Sequence, residues 1–220
     1  MQLQINEIEA RVLGSLIEKE MATPEYYPLS LNALTQACNQ KSNRNPVMAL
    51  SDEDVVRALD HLRTSGLAMQ SAESARVPKY RHTLAEKLHL EPRELALLSV
   101  LLLRGPQTLG ELRSRSERLY SFSDLESVEE TLGEMMSRTT PLVVHLQRRS
   151  GHKERRYAHL LAGEPPAEDP GQSTAPPEEA RLKIIAEDQR ISNLETEVSA
   201  LRTEVEELRS IVDQLKTLLD

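Results

Sequence analysis

The chain has one cysteine, one phenylalanine and no tryptophan in 220 residues, and each scarcity excludes something. A lone Cys38 forms no internal disulfide, so no covalent framework replaces a packed core, and the usage suits a reducing cytoplasm. With five tyrosines and a single Phe, cores must be filled by Leu, Val, Ile, Ala and Met, which favours small helical domains over a large sheet enzyme. No apolar run is long enough to cross a bilayer, and the start, MQLQINEIEAR, lacks the basic-then-apolar order of a secretory signal. Also missing are a phosphate-cradling GxxxxGK[ST], a GxGxxG and an HExxH. The six histidines are scattered rather than set at metal-ligand spacing. The expectation is a cytoplasmic protein that binds rather than reacts, with no catalytic site, no metal, no cofactor and no membrane partner.

The formal charge of -8 is unevenly held. Residues 165–220 carry 6 basic and 13 acidic side chains, whereas residues 1–90 carry 10 and 11 and residues 91–164 carry 11 and 11. The acidic balance therefore belongs to the tail, and says little about what the near-neutral body binds.

That tail reads as a parallel two-stranded coiled coil. Ile184, Ile191, Val198, Val205, Val212 and Leu219 recur at heptad position a, and Glu187, Leu194, Leu201, Leu208 and Leu215 at position d. β-branched residues at a with Leu at d favour two parallel strands. The flanking g-to-e pairs between partners, Arg190 with Glu195, Glu197 with Arg202 and Glu204 with Arg209, are opposite in sign each time. A lone amphipathic helix packed on its own domain would show a wider apolar face at a 3.6 period. A homodimer is expected, with Ile191, Leu194, Val198, Leu201, Val205, Leu208, Val212 and Leu215 forming its seam.

Upstream, the body contains one unit twice. Each copy opens with a helical run, Ile8, Val12, Leu13, Leu16 and Ile17 in one and Leu95, Leu97, Leu98, Leu101 and Leu102 in the other. A short helix led by a hydroxyl follows, at Ser30 and at Thr108. A third helix starts at the capping-box patterns Ser51-x-x-Asp54 and Ser123-x-x-Glu126. Hairpin patterns close both copies, with strands near Leu67 to Gln70 and Val77 to His82, then near Leu142 to Gln147 and Glu154 to Leu160. Their ends match, Tyr80-Arg81-His82 against Tyr157-Ala158-His159, so the two histidines are expected to share a structural role. Three helices and a hairpin is the winged-helix order, a helix-turn-helix variant. The fold expected is mainly α with small β-hairpins (α+β). Winged-helix domains are expected over 1–87 and 88–162, a proline-rich linker over 163–178 and the coil over 179–220.

The run Tyr27-Pro28-Leu29-Ser30-Leu31-Asn32-Ala33-Leu34, continuing from Ala37 through Cys38 and Asn39 to Met48, resembles the signature of the YceH-like family of uncharacterised bacterial proteins. The resemblance covers residues 5 to 162 and, more loosely, the coiled tail. It implies tandem winged-helix domains, and carries over no catalytic residue.

Binding candidates come from the basic and amide-bearing segments. The hairpin Arg148-Arg149-Ser150-Gly151-His152-Lys153-Glu154-Arg155-Arg156 holds five cations and one anion, a density that can clamp a phosphate backbone; otherwise it is a solvated turn. The loop Asn39 to Asn45 holds Asn39, Gln40, Lys41, Asn43 and Arg44 with no acid. Amides pair with adenine edges and cations with phosphate or guanine, or else the Asn residues serve turn geometry. Both third helices are acidic, with Asp52, Glu53, Asp54 and Asp60 in one and Asp124, Glu126, Glu129, Glu130 and Glu134 in the other, so neither offers a basic stripe to a groove. The expectation is a homodimeric DNA-binding regulator or nucleoid-associated factor with double-stranded DNA as ligand. The alternative is an adaptor that binds a protein partner, in the manner of tandem winged-helix subunits of chromosome-condensation complexes.

Overall fold

The structure, a computed structural model, describes residues 4–71, 77–146 and 155–163. These lie within one compact unit, Met1–Ala167. The linker and the coil, with the eight seam residues from Ile191 to Leu215, lie outside the described residues.

Two central helices form the frame. Helix α1 (Glu7–Ala22) starts at Asn6, whose side chain accepts from Glu9 N at 2.9 Å while Glu9 Oε2 accepts from Asn6 N at 3.1 Å. Helix α5 (Pro92–Arg104) repeats the device with Glu91 and Glu94, and places Pro92 where no amide is needed. In each helix ten consecutive residues are buried, Glu9 to Glu18 and Glu94 to Leu103. The apolar periodicity anticipates one buried stripe. The helices are instead enclosed all round, because α1 and α5 pack on each other while each also serves the core of its own half. They approach closely at Gly14, where a Cβ would stand 2.9 Å from Leu103 Cγ and 3.0 Å from Leu102 Cβ. There Ser99 Oγ donates to the Gly14 carbonyl at 3.3 Å.

Around this pair the order of elements is the same in both halves. The first half continues with a 3-10 turn (Pro24–Tyr26), β1 (Leu29–Ser30), α2 (Leu31–Cys38), α3 (Asp52–Thr64), β2 (Ala68–Ser71), β3 (Lys79–His82) and α4 (Leu84–Leu88). The second continues with β4 (Gln107–Thr108), α6 (Leu109–Ser116), α7 (Leu125–Ser137), β5 (Val143–His145) and β6 (Arg156–His159). Each half closes an antiparallel three-stranded sheet, β1-β3-β2 and β4-β6-β5. The registers coincide: Tyr80 pairs with Leu29 and Gln70 as Tyr157 pairs with Gln107 and His145. The coarse expectation of helices with small antiparallel sheets therefore holds.

The differences are local. Strands β1 and β4 are two residues long, too short for an alternating pattern to reveal. The third helix of the second half is capped by Asp124, not Ser123: the Asp124 carboxylate accepts from Ser127 N at 2.8 Å. An ionised side chain is the stronger acceptor at a helix start. Helix α4 ends at His89 in the left-handed region (φ 50) and has no helical counterpart after β6. There the chain turns, and the Leu161 carbonyl accepts from Ile5 N at 2.8 Å, tying the end of the second half to the start of the first.

The two strand-end histidines share a register, His82 opposite Ala68 and His159 opposite Val143. Their surroundings differ. His82 lies against the Glu20 carboxylate and the Tyr27 ring, and its backbone N donates to Tyr27 Oη at 2.7 Å. Burial holds the His159 imidazole down at about 4.

Candidate nucleic-acid interface

The loop after α2 is held from within before it can hold anything else. Asn39 ends α2 and clasps Leu50, donating from Nδ2 to its carbonyl at 2.8 Å and accepting from its N at 2.7 Å. Both arms of the amide are thereby used, so Asn39 is a loop fastener and does not present an edge for a base. Arg44 is likewise no surface cation. Its side chain is fully enclosed, donating to the Ala37 carbonyl at 2.8 and 3.1 Å, to the Asn43 carbonyl at 3.0 Å and to Glu18 Oε2 at 2.6 Å. Asn43 adopts the left-handed conformation (φ 59) that Asn tolerates, and its Oδ1 accepts from Arg104. From this segment the surface keeps exposed Lys41 and half-buried Gln40.

In the second hairpin, Arg148, Arg149 and Lys153 lie outside the described residues. Arg155 is exposed, while Arg156 donates to the Pro106 carbonyl at 2.6 Å. The two candidate segments, more than a hundred residues apart in sequence, meet on one turn at the end of α5. Asn45 N donates to the Leu103 carbonyl at 2.9 Å, Arg104 reaches Asn43, and Arg156 reaches Pro106.

Next to this turn lies a group that the sequence patterns do not single out. Glu18, near the end of α1, is 2 % exposed and takes two guanidiniums, Arg44 on Oε2 and Arg118 on Oε1, each at 2.6 Å. Arg44 comes from the loop between second and third helices of one half and Arg118 from the corresponding loop of the other. Burial alone would push the Glu18 carboxyl up; the Arg44 hydrogen bond and charge, with Arg118 and Lys19 behind them, outweigh it and hold it below the usual range. Two turns back along α1, Arg11 is 1 % exposed and donates to the carbonyls of Cys38 (3.1 Å) and Pro46 (2.5 Å), with burial and then Arg44 drawing its affinity for a proton down. The buried Cys38 thiol is pushed up to about 11 by burial, which leaves it inert at neutral pH. One signal was available: Arg11, Ser15 and Glu18 fall at i, i+4 and i+7 along an otherwise apolar helix. On an enclosed helix such a stripe requires buried partners.

The third helices bear no free cation among the described residues. On α3, Arg57 stands 3.8 Å from Glu53, Arg63 3.3 Å from Asp60, and His61 2.8 Å from Glu9. On α7, Glu134 is taken by Arg93 at 3.0 Å, while Glu126, Glu129 and Glu130 stand exposed beside an exposed Leu125. Arg138, just past α7, turns inward to Glu94 at 2.7 Å and to the Leu88 carbonyl at 2.7 Å. No cluster of potential metal ligands occurs among the described residues, and no helix there is long and apolar enough to cross a membrane.

The class defined by this geometry is an α+β body built on two copies of a three-helix, three-strand unit, with a buried charge cluster at the seam between the copies. Residues 5–152 match the family model described as "Protein of unknown function, DUF480". The chain is 61% identical over 198 residues to a UPF0502 protein of Geobacter sulfurreducens and 62% identical over 198 residues to one of Geotalea uraniireducens, covering 90% of each chain in both cases. A UPF0502 protein of Koribacter versatilis is 55% identical over 161 residues, 73% of this chain and 75% of its own. The chain belongs to this DUF480/UPF0502 family.

Proposed function

We propose that the two halves are tandem winged helices of a homodimeric, non-enzymatic protein that holds double-stranded DNA by its phosphates. The contact lies at the seam and the β5–β6 wing, not on the third helices. One observation carries this reading: the two basic segments converge on the Leu103–Pro106 turn, bringing Arg104, Arg155 and Arg156 to one region beside the loop that bears Lys41. Phosphate contacts of this kind give affinity without base readout. Two bodies joined by the coil would multiply weak contacts through effective concentration. The test is retardation of a duplex by the purified full chain at about 0.1 M salt, where the Debye length is about 10 Å. Absence of any shifted species at micromolar protein would remove DNA as the ligand.

The adaptor reading has its own support, in the carboxylates Glu126, Glu129 and Glu130, exposed and without an ion pair among the described residues, on the helix that begins with exposed Leu125. An exposed apolar residue on an acidic helix fits a protein segment carrying Lys or Arg, and the acids repel phosphate. Capture of a partner that is lost when these three become Lys, in a chain that shifts no duplex, would favour it.

A further inference from the structure

Helix α7 turns Val128, Thr131, Leu132 and Met135 into the core. At about 100° per residue its opposite side is centred on Gly133, with Glu126, Glu129 and Glu130 around it. Gly133 serves no packing contact inside the chain: a Cβ there would meet nothing within 4 Å among the described residues, and the helix runs on both sides of it. A glycine inside a helix is destabilising against alanine, and neither a turn nor a close neighbour offsets that loss here. The three carboxylates are exposed and make no ion pair among the described residues, whereas Glu134 beside them is held by Arg93 at 3.0 Å. Helix α3 shows the same face in a different state. Counted from the N3 residues Asp54 and Ser127, Gly133 stands where α3 has Asp60, which Arg63 meets at 3.3 Å. Glu126 and Glu130 stand where Glu53 and Arg57 face each other at 3.8 Å. The first half neutralises this face; the second leaves it acidic, with bare backbone at its centre.

We infer that this face of α7 is the docking surface for a basic helix of a protein partner, which crosses α7 at Gly133 and sets Lys or Arg side chains toward Glu126, Glu129 and Glu130. Charge decides the kind of partner. Two copies laid face to face would oppose carboxylate to carboxylate, and a duplex would bring phosphates to them, so both are repelled. Complementarity leaves a cationic segment of protein. The glycine decides its shape. Leu125, Glu129 and Gly133 form one i, i+4 ridge of the face, and Glu126, Glu130 and Glu134 form the next. A partner helix packs a ridge of its own into the groove between them. Where the first ridge reaches glycine, that helix can come close to the backbone and fill the gap with a large side chain. Exposed Leu125, about 12 Å away along the axis, offers it an apolar contact at the other end. The inference deepens the adaptor reading and rests on it, and it is independent of whether the seam holds DNA.

Fluorescence anisotropy of the full chain with two labelled synthetic helical peptides of one composition tests it. One peptide sets its lysines and a leucine along a single face; the other spreads the same residues evenly round the helix. The parent chain should bind the first several-fold more tightly than the second. Gly133→Leu changes no charge and should weaken the first peptide several-fold. The same variant should raise the urea midpoint of unfolding, because leucine in open space is the better helix former. A chain made more stable that has lost binding is an outcome a merely structural glycine would not give. Equal affinity for the two peptides, or equal affinity of parent and Gly133→Leu for the first, overturns the crossing at Gly133. Continued binding of both peptides would then leave the adaptor reading standing as attraction to acids alone. If neither peptide binds, the inference and the adaptor reading fall together.

Discussion

The two halves share a topology and a register but have distributed their charge in opposite ways. In the first half, charge is turned inward: Arg11, Glu18 and Arg44 are buried, and each cation on α3 faces an acid. In the second half the central helix is apolar where α1 is ionic. Counted from the shared N3 carboxylates, Glu9 and Glu94, the position of Arg11 is Ala96 and the position of Glu18 is Leu103. Apart from the inward Glu94–Arg138 pair at the start of α5, the described charges of the second half lie nearer the surface, with Glu126, Glu129 and Glu130 on α7 and Arg155 exposed. A repeated backbone thus does not imply a repeated surface. The first half holds the buried ion pairs that anchor the seam, and the second carries the exposed carboxylates of α7.

The largest effect should come from importing the apolar choice of the second half into the first. Glu18→Leu removes the carboxylate shared by Arg44 and Arg118 and leaves an enclosed guanidinium uncompensated, a loss of about 3–5 kcal/mol. Urea unfolding followed by circular dichroism checks it. Arg118→Ala, which gives up the half-exposed partner, should cost markedly less. The same pair sets a pH dependence. The folded Glu18 carboxyl is held below its ordinary value, so its contribution is present above the unfolded pKa and is lost as pH falls through the folded one. Glu18→Gln should therefore flatten the acid limb of the stability curve, and an unaltered limb would show that other groups govern it.

Next comes the close approach between the central helices. Gly14→Val places a branched side chain against Leu102 and Leu103, for about 1–3 kcal/mol of overpacking. Leu103→Ala opens room on the facing helix, so the double variant should lose less than the two single changes together, which a thermodynamic cycle measures. Strict additivity would mean that the helices separate rather than repack. At the loop, Asn39→Ala frees both backbone groups of Leu50 in a half-buried setting and should cost about 1–3 kcal/mol. Under conditions where that variant stays folded, duplex affinity should be unchanged, because the amide faces its own loop.

The elements were legible in the sequence wherever a local rule acts alone. Ser30, Ser51 and Thr108 sit at helix starts, and the apolar runs and matched hairpin ends reveal the repeat. The site was legible only in part, because burial of a polar residue is decided by distant segments. Nothing near Arg44 in sequence distinguishes it from Lys41, and yet one is enclosed on Glu18, 26 positions away, while the other is exposed. Asn39 follows the same logic. An amide-rich loop reads as a recognition surface until its partner, Leu50, is known. Arg118 was invisible for a further reason: its partner belongs to the other copy, a hundred positions upstream.

The smallest expected effect falls on the third helices, and it tests whether the inward and outward distribution of charge governs binding. Arg57 on α3 is exposed and only loosely matched to Glu53 at 3.8 Å, an arrangement worth at most about 1 kcal/mol. Arg57→Ala should alter stability by less than about 0.5 kcal/mol, as expected of a surface position. Its effect on duplex affinity should be under about twofold, because Glu53 and Asp60 leave α3 no net positive face. Lys41→Ala with Arg155→Ala should weaken binding several-fold more, although each of those residues is exposed as Arg57 is. On α7, Glu126, Glu129 and Glu130 replaced by Lys should leave the fold intact and, if phosphates pass nearby, tighten duplex binding by removing three repulsive charges. Tighter binding after the α7 change and indifference to the α3 change would mark the second half as the ligand-facing one. A loss of affinity from Arg57→Ala alone would reverse that assignment and return the third helix of the first half to the groove.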